Sequence, residues 1–275
     1  ITHARSLAAM ISVPLWLTAE HPCSYLDDRL SQSAVVHPNF PLDSAIYTQL
    51  ITQGFRRSGD QVYKPYCNGC QACVPTRIPV KTFKTNRKQR RCLRRNADTE
   101  AVVKPAEFNE RHFDLYRQYQ LARHDKNSVN DISREDYLHF LSSNWSDTWF
   151  VEFLIEGQLA AVAVVDALEN ALSAVYTFFD PVFDAFSPGV FAVLWQIDAA
   201  QKLGLDYVYL GFWIKDCRKM RYKTQYQPLE GLLDQQWQAI SAEMDIDIQF
   251  RQHNNLRLAL NEAHMAELLA MVERE

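Results

Sequence analysis

The stretch Trp149-Phe150-Val151-Glu152-Phe153-Leu154-Ile155, followed by Glu156-Gly157, and then Leu159–Ala167 and Ala171–Phe179, decides the fold. Its three runs are rich in β-branched and aromatic residues and read as consecutive strands. Glu156-Gly157 turns the first run into the second, and Asp180-Pro181 ends the third. A loop then leads to Ser187-Pro188-Gly189. Beyond it Val190, Val193, Leu194 and Ile197 repeat at helical spacing. Gly204 closes that helix, and Asp206–Trp213 reads as a further strand.

Working outward, Arg111–Arg123 carries Leu115, Tyr116 and Tyr119 on one helical face. Ser133 caps a second helix, Arg134–Leu141, with Asp136 completing a capping box. The order is therefore helix, helix, three antiparallel strands, helix, strand. It resembles that of the Gcn5-related N-acetyltransferase fold. The expected class is α/β (α+β): a mixed-sheet acyltransferase-like domain behind a small Cys-rich, basic domain. Upstream, Ser44 reads as the N-cap of a helix Ala45–Gln53 closed by Gly54, and Phe55–Phe83 as short strands and turns. An amphipathic helix is expected at Leu256–Arg274. These boundaries divide the chain into 1–98, 99–245 and a helical tail at 246–275.

The length of 275 residues suits roughly two domains. Hydrophobic residues make up 47% and charged residues 23%, which excludes wholesale disorder. A membrane span needs about 20 apolar residues. The longest apolar stretches, such as Leu159–Val165, are far shorter, so no membrane association is expected. Ile1–Glu20 lacks the signal-peptide pattern and is broken by Pro14 and Glu20, which reads as a cytoplasmic protein.

The formal charge of −4 hides a segregation. Gly54–Asn96 holds twelve Lys/Arg and one acid, Asp60, giving +11 against −15 for the rest. The densest part runs Lys84-Thr85-Asn86-Arg87-Lys88-Gln89-Arg90-Arg91-Cys92-Leu93-Arg94-Arg95. A basic block on an acidic protein points to a local polyanion site, with Arg87, Lys88, Arg90, Arg91, Arg94 and Arg95 as contacts. Charge does not distinguish DNA from RNA.

Six cysteines are too few for a disulfide scaffold. Cys67, Cys70 and Cys73 repeat at intervals that can aim thiolates at one centre, as in zinc or iron–sulfur sites. Cys23 is the favoured fourth ligand and Cys92 its competitor. Three reduced structural cysteines are the plain alternative.

Several segments together resemble the bacterial aminoacyl-tRNA–protein transferases, relatives of the eukaryotic arginyltransferases. They are His21–Leu26, Gly54–Gly59, Tyr63–Val80, Gln89–Cys92, Tyr176–Pro181, Tyr207–Ile214 and Cys217–Met220. The match is closest to the leucyltransferases that act on N-terminal Asp and Glu, and it also carries a cysteine at Cys23. The resemblance implies transfer of leucine from leucyl-tRNA to the α-amine of proteins beginning with Asp or Glu, which marks them for the N-end rule pathway. Arginine is the alternative donor. The implied partners are tRNA and those proteins, with no DNA, and no cofactor is required for transfer.

The chemistry agrees. The tRNA ester is already activated, and an α-amine with a pKa of about 7.7–8.0 is partly neutral at pH 7. Positioning, proton removal and an oxyanion donor remain to be supplied. By analogy with the acyltransferase fold, the donor sits where two strands splay, against the start of the following helix. Gly189 leaves room there. The coenzyme A fingerprint is absent, so acetyl-CoA is not expected. Tyr176, Phe178, Tyr207, Tyr209 and Trp213 form a candidate aromatic wall, and Asp180 with Tyr176 is the candidate catalytic pair. Arg77, Arg123 with His124, and the cluster Arg218, Lys219, Arg221 and Lys223 are candidates to grip the acceptor's carboxylate. Two other readings remain: a small-molecule acyltransferase, and a metal-containing nucleic-acid-binding protein without catalysis.

Overall fold

The structure, a computed structural model, describes residues 13–123 and 132–245. The expected helix at Leu256–Arg274 and the tail 246–275 lie outside the described residues.

In chain order the elements are β1 (Leu15–Leu17), β2 (His21–Pro22), β3 (Leu30–Ser31), β4 (Ser33–Val36), α1 (Ser44–Thr52), β5 (Arg56–Ser58), β6 (Gln61–Pro65) and β7 (Val74–Pro79). There follow α2 (Arg87–Arg95), β8 (Glu100–Pro105), α3 (Glu110–Arg123), α4 (Arg134–Leu141), β9 (Asp147–Ile155), β10 (Gln158–Ala167) and β11 (Ala171–Phe179). A 3-10 turn (Pro181–Phe186) leads into α5 (Pro188–Lys202) and β12 (Tyr207–Trp213). A second 3-10 turn (Arg221–Gln225) precedes the hairpin β13 (Leu229–Leu233) and β14 (Gln236–Ile240).

The expected helix–helix–strand–strand–strand–helix–strand core is present. Eight strands form one mixed sheet in the order β14-β13-β7-β12-β11-β10-β9-β8. Only β11 and β12 run parallel, joined by the α5 crossover. In β10, Ala160–Asp166 is buried throughout, because both faces of the sheet are covered. On one face Ala161, Ala163 and Val165 pack with Phe191, Leu194 and Ile197 of α5. On the other, Val162 and Val164 pack with Phe113 and Tyr116 of α3 and Tyr137 and Leu141 of α4. A four-stranded sheet, β1-β4-β6-β5, lies beside α1, whose Tyr47, Leu50 and Ile51 reach Ala171 and Tyr209 of the large sheet.

Two local expectations change, and the basic run takes a definite form. The N-cap of α1 is Asp43, whose side chain accepts from Ile46 N, and Ser44 is the first helical residue. The basic run forms a helix, because Asn86 and Gln89 close a capping box and Gln89, Cys92, Leu93 and Asn96 make an inward stripe at helical spacing. Finally β7, from within residues 1–98, stands between β12 and β13, so the large sheet takes strands from both sides of residue 98.

One buried ion pair joins the two sheets. Arg57 Nε and Nη2 donate to Asp166 Oδ2 and Oδ1 at 2.7 and 2.6 Å, and both side chains have no solvent exposure. Arg57 Nη2 also donates to Leu141 O at 3.0 Å, and Thr148 Oγ1 donates to Asp166 Oδ1 at 2.7 Å. Removing one member leaves an uncompensated buried charge. Asp166→Ala is therefore expected to lower unfolding free energy by about 3–5 kcal/mol in urea denaturation.

Candidate functional site

The site begins where the parallel pair ends. β11 and β12 are in register only at Ala171↔Tyr207, Leu172↔Val208 and Ser173↔Tyr209. Each strand then bulges against its outer neighbour. In β11 the inserted residue is Val175, since Val165 pairs with Ala174 and Val164 with Tyr176. In β12 it is Leu210, between the pairs Tyr209↔Arg77 and Gly211↔Thr76, and Gly211 adopts φ +77°. A bulge bends its strand and tightens the local twist. Two bulges at the same level, on neighbouring strands, open the sheet.

The gap holds a cavity of about 680 Å³ lined by Ser173–Thr177 of β11, Leu210–Phe212 of β12 and Ser187–Val190 at the start of α5. Among the described residues its charged lining is cationic: Arg56, Arg57, Arg123, Lys219 and Lys223 against a single acid, Asp184.

Two of these cations are buried and lack an acidic partner. Splaying strips β12 of its neighbour, and side chains satisfy the freed carbonyls. Thr76 Oγ1 donates to Gly211 O at 2.9 Å, and Lys223 Nζ donates to Phe212 O. Arg56 donates through Nη1 to Phe55 O at 2.6 Å and through Nη2 to Thr76 O at 3.3 Å, with its guanidinium near the Tyr209 and Phe212 rings. Its Nε is buried without a partner. Burial, reinforced by the charge of Arg56, pushes the Lys223 ammonium down to about 7, against the opposing pull of Cys73 and Cys217. Among the described residues neither Arg56 nor Lys223 belongs to an ion pair.

Helix α2 sits at the rim. Gln89 Nε2 donates to Gln225 O at 3.1 Å, Asn96 Nδ2 to Phe186 O at 2.8 Å, and Arg95 to Ala185 O. Gln225 and Ser187 line the cavity. The inward stripe of α2 thus clasps two rim segments, while Arg87, Lys88, Arg90, Arg91, Arg94 and Arg95 are all exposed.

Comparison with known proteins is decisive at this point. The arginine-tRNA-protein transferase family matches in two parts, its N terminus over residues 21–91 and its C terminus over residues 111–233. The aspartate/glutamate leucyltransferase of Pseudomonas aeruginosa (strain LESB58) is 45% identical over 235 residues, covering 86% of this chain and 100% of that protein. That of Pseudomonas entomophila (strain L48) is 47% identical over 232 residues, covering 84% and 98%. The chain belongs to the aspartate/glutamate leucyltransferase family. Among solved structures, L-PGS from Bacillus licheniformis is a distant likeness, with a TM-score of 0.38, 16% identity, and 51% of this chain and 45% of that chain covered.

In this member of the leucyltransferase family, the expected site residues divide. Tyr176, Gly189 and Lys219 line the cavity, and Tyr176 Oη accepts from Gln120 Nε2 at 3.0 Å. Asp180 does not line it: Oδ1 accepts from Val182 N at 2.9 Å and caps the 3-10 turn. Phe178 is buried under α3 and α4, and Trp213 is buried in the core beneath α5. Tyr209 packs beneath Arg56 without reaching the cavity wall. Arg77 is committed to Glu230, with Nε 2.7 Å from Oε2, and stacks on Tyr207 and Trp237. Arg218 and Arg221 are exposed and outside the cavity lining. The space does not depend on Gly189, where an added Cβ would meet only Phe179 at an ordinary 3.7 Å. Of the remaining expected carboxylate contacts, Arg123 and Lys223 line the cavity and His124 lies outside the described residues; Arg56 went unassigned. The available signals were the Arg56-Arg57 pair between two glycines and the isolated Gly211 within a strand, which marks a bulge.

The leucyltransferase-family cysteines Cys23, Cys67, Cys70 and Cys73 line a second cavity, of about 440 Å³. Among the described residues no three His, Cys, Asp or Glu side chains are arranged to hold a metal ion, so the expected ligand set does not assemble as one. Burial, followed by the neighbouring thiols, pushes Cys73 up to about 12. Cys92 is far from this group, with its Sγ 3.7 Å from Phe186 O. Cys217 packs there instead, against Cys70, Cys73 and Met220.

The depressed Lys223 makes stability depend on pH. In the unfolded chain the lysine stays protonated to about pH 10.4, whereas in the fold it loses its proton near pH 7. Between those values the unfolded state binds more protons, so stability rises with pH. Denaturant unfolding at pH 6.5 and pH 9 is expected to show this rise in the wild type and to lose it in Lys223→Met.

Proposed function

We propose that the chain transfers leucine from leucyl-tRNA to the α-amine of proteins that begin with Asp or Glu, marking them for degradation through the N-end rule pathway. The observation that carries the reading is the seat of α2. A helix with six exposed cations, none in an ion pair among the described residues, grips the Phe186 and Gln225 segments at the rim of the cavity. A tRNA lying along α2 would deliver its aminoacylated end into the splay. In this reading the division near residue 98 is one of role: the tRNA grip lies before it, and the cavity draws on both sides.

The step is a simple acyl transfer. The amine nitrogen attacks the ester carbonyl, and the C–N amide bond forms as the C–O bond breaks. The amine's proton leaves, and the terminal ribose hydroxyl of tRNA departs protonated. Orientation within the cavity supplies much of the acceleration. Tyr176 and Lys219 line the space around the reacting groups. Asp180 holds the cap of the 3-10 turn through Oδ1. The cationic lining favours leucine over arginine as the donor, because an arginine side chain would meet like charges at Arg56, Arg123 and Lys223.

The test is transfer of radiolabelled leucine from leucyl-tRNA to a peptide beginning with Asp, with arginyl-tRNA and an Ala-initiated peptide alongside. Leucine on the Asp peptide alone is the expected result. Arginine transfer would overturn the donor, and no transfer from either would overturn the reaction. Arg90→Ala combined with Arg91→Ala is expected to weaken tRNA binding and to reduce the slope of log affinity against log salt by about two. An unchanged slope would remove α2 from the tRNA site.

A further inference from the structure

Gly211 lies at the point where the two buried, unpaired cations meet. A Cβ added there would stand 3.8 Å from Lys223 Nζ and 4.0 Å from Arg56 Nε, with no closer contact. The absent side chain therefore leaves a niche between two positive donors at the floor of the cavity. Arg56 Nε points a donor with no acceptor into a buried position. Its terminal nitrogens are held on backbone carbonyls of Phe55 and Thr76, so the guanidinium cannot swing away to find solvent.

Arg56 stays charged, so Lys223 beside it keeps its proton above about pH 7 only when an anion joins them. Among the described residues no acid of the chain does so. Asp184, the one acid among the described lining residues, lies in the 3-10 turn before α5 and neighbours Tyr119, whose hydroxyl is pushed up by burial and, against Arg123, further by Asp184.

We infer that Arg56 Nε and Lys223 Nζ together bind the side-chain carboxylate of the acceptor's N-terminal Asp or Glu, in the niche that Gly211 leaves open. The inference rests on the transfer reading and names the part of the cavity that selects the acceptor. Size favours a carboxylate over a tRNA phosphate. The niche is about as wide as the missing side chain, and a short acid reaches it end-on, whereas a phosphodiester flanked by two riboses does not. Arg56 and Lys223 are in this account specificity-determining residues. The neutral isosteres Asn and Gln would leave both cations buried and unpaired, and a site of this kind discriminates strongly.

The experiment compares kcat/KM for peptides beginning with Asp and with Asn, at saturating leucyl-tRNA, in wild type, Lys223→Met and Arg56→Lys. Wild type is expected to prefer Asp by about 100-fold or more. In Lys223→Met the preference should fall below about tenfold, with leucyl-tRNA affinity changed by no more than about twofold. Lys223→Met keeps the test decisive if Arg56→Lys does not fold. Retention of the wild-type preference in Lys223→Met would overturn the assignment. So would a loss of leucyl-tRNA affinity with the preference intact, which would make the niche a phosphate site. No transfer by wild type to any peptide would overturn the transfer reading and this assignment together, so the two failures are told apart.

Discussion

A bidentate ion pair without solvent access, Arg57 to Asp166, is the constraint on which the remaining geometry depends. It fixes β5 of the small sheet to the end of β10 in the large one, and through Leu141 and Thr148 it also ties in α4 and β9. Neighbouring residues of a strand point to opposite faces. With Arg57 committed to Asp166, Arg56 is turned toward β7 and β12, where it meets the carbonyl of Thr76 and the ring of Phe212. One buried pair therefore decides where a second, unpaired cation must stand.

The opening of the sheet follows the same economy of backbone partners. Parallel strands that part company leave amides and carbonyls without a ladder. Here Thr76, Arg56 and Lys223 take over the carbonyls of Gly211 and Phe212. The groups that repair the splay are thus the groups that charge its floor. Structural need and substrate recognition meet in the same side chains.

Much of this was legible in the sequence, and the reasons for what was missed are physical. β9, β10, β11, α5 and β12 follow from apolar runs and helical periodicity, which local sequence specifies well. The capping box at Ser133 and Asp136 is equally local, and it is present. Lys223 was legible as part of a basic cluster, but its pairing with Arg56 was not, because the two are 167 positions apart in the chain and meet only through the bulge at Gly211. Asp180 and Arg77 looked available in the sequence because their commitments, to Val182 N and to Glu230, are visible only in three dimensions. Cys92 reads as a candidate ligand from its position after the Cys67–Cys73 run, yet the inward stripe of α2 carries it to the opposite end of that segment, against Phe186.

The place of β7 has a consequence for how the chain acquires its structure. This strand, at Val74–Pro79, is bracketed by β12 at Tyr207–Trp213 and β13 at Leu229–Leu233. On the ribosome β7 emerges long before either neighbour, and until they arrive both of its edges are unpaired. Closing such long loops makes high-contact-order sheets slow to form. The cationic floor lies across this same seam, since Arg56 comes from one side of it and Lys223 from the other. The acceptor niche is therefore among the last features to assemble, and a nascent chain holds no recognition pocket until β12 and the segment carrying Lys223 have been made.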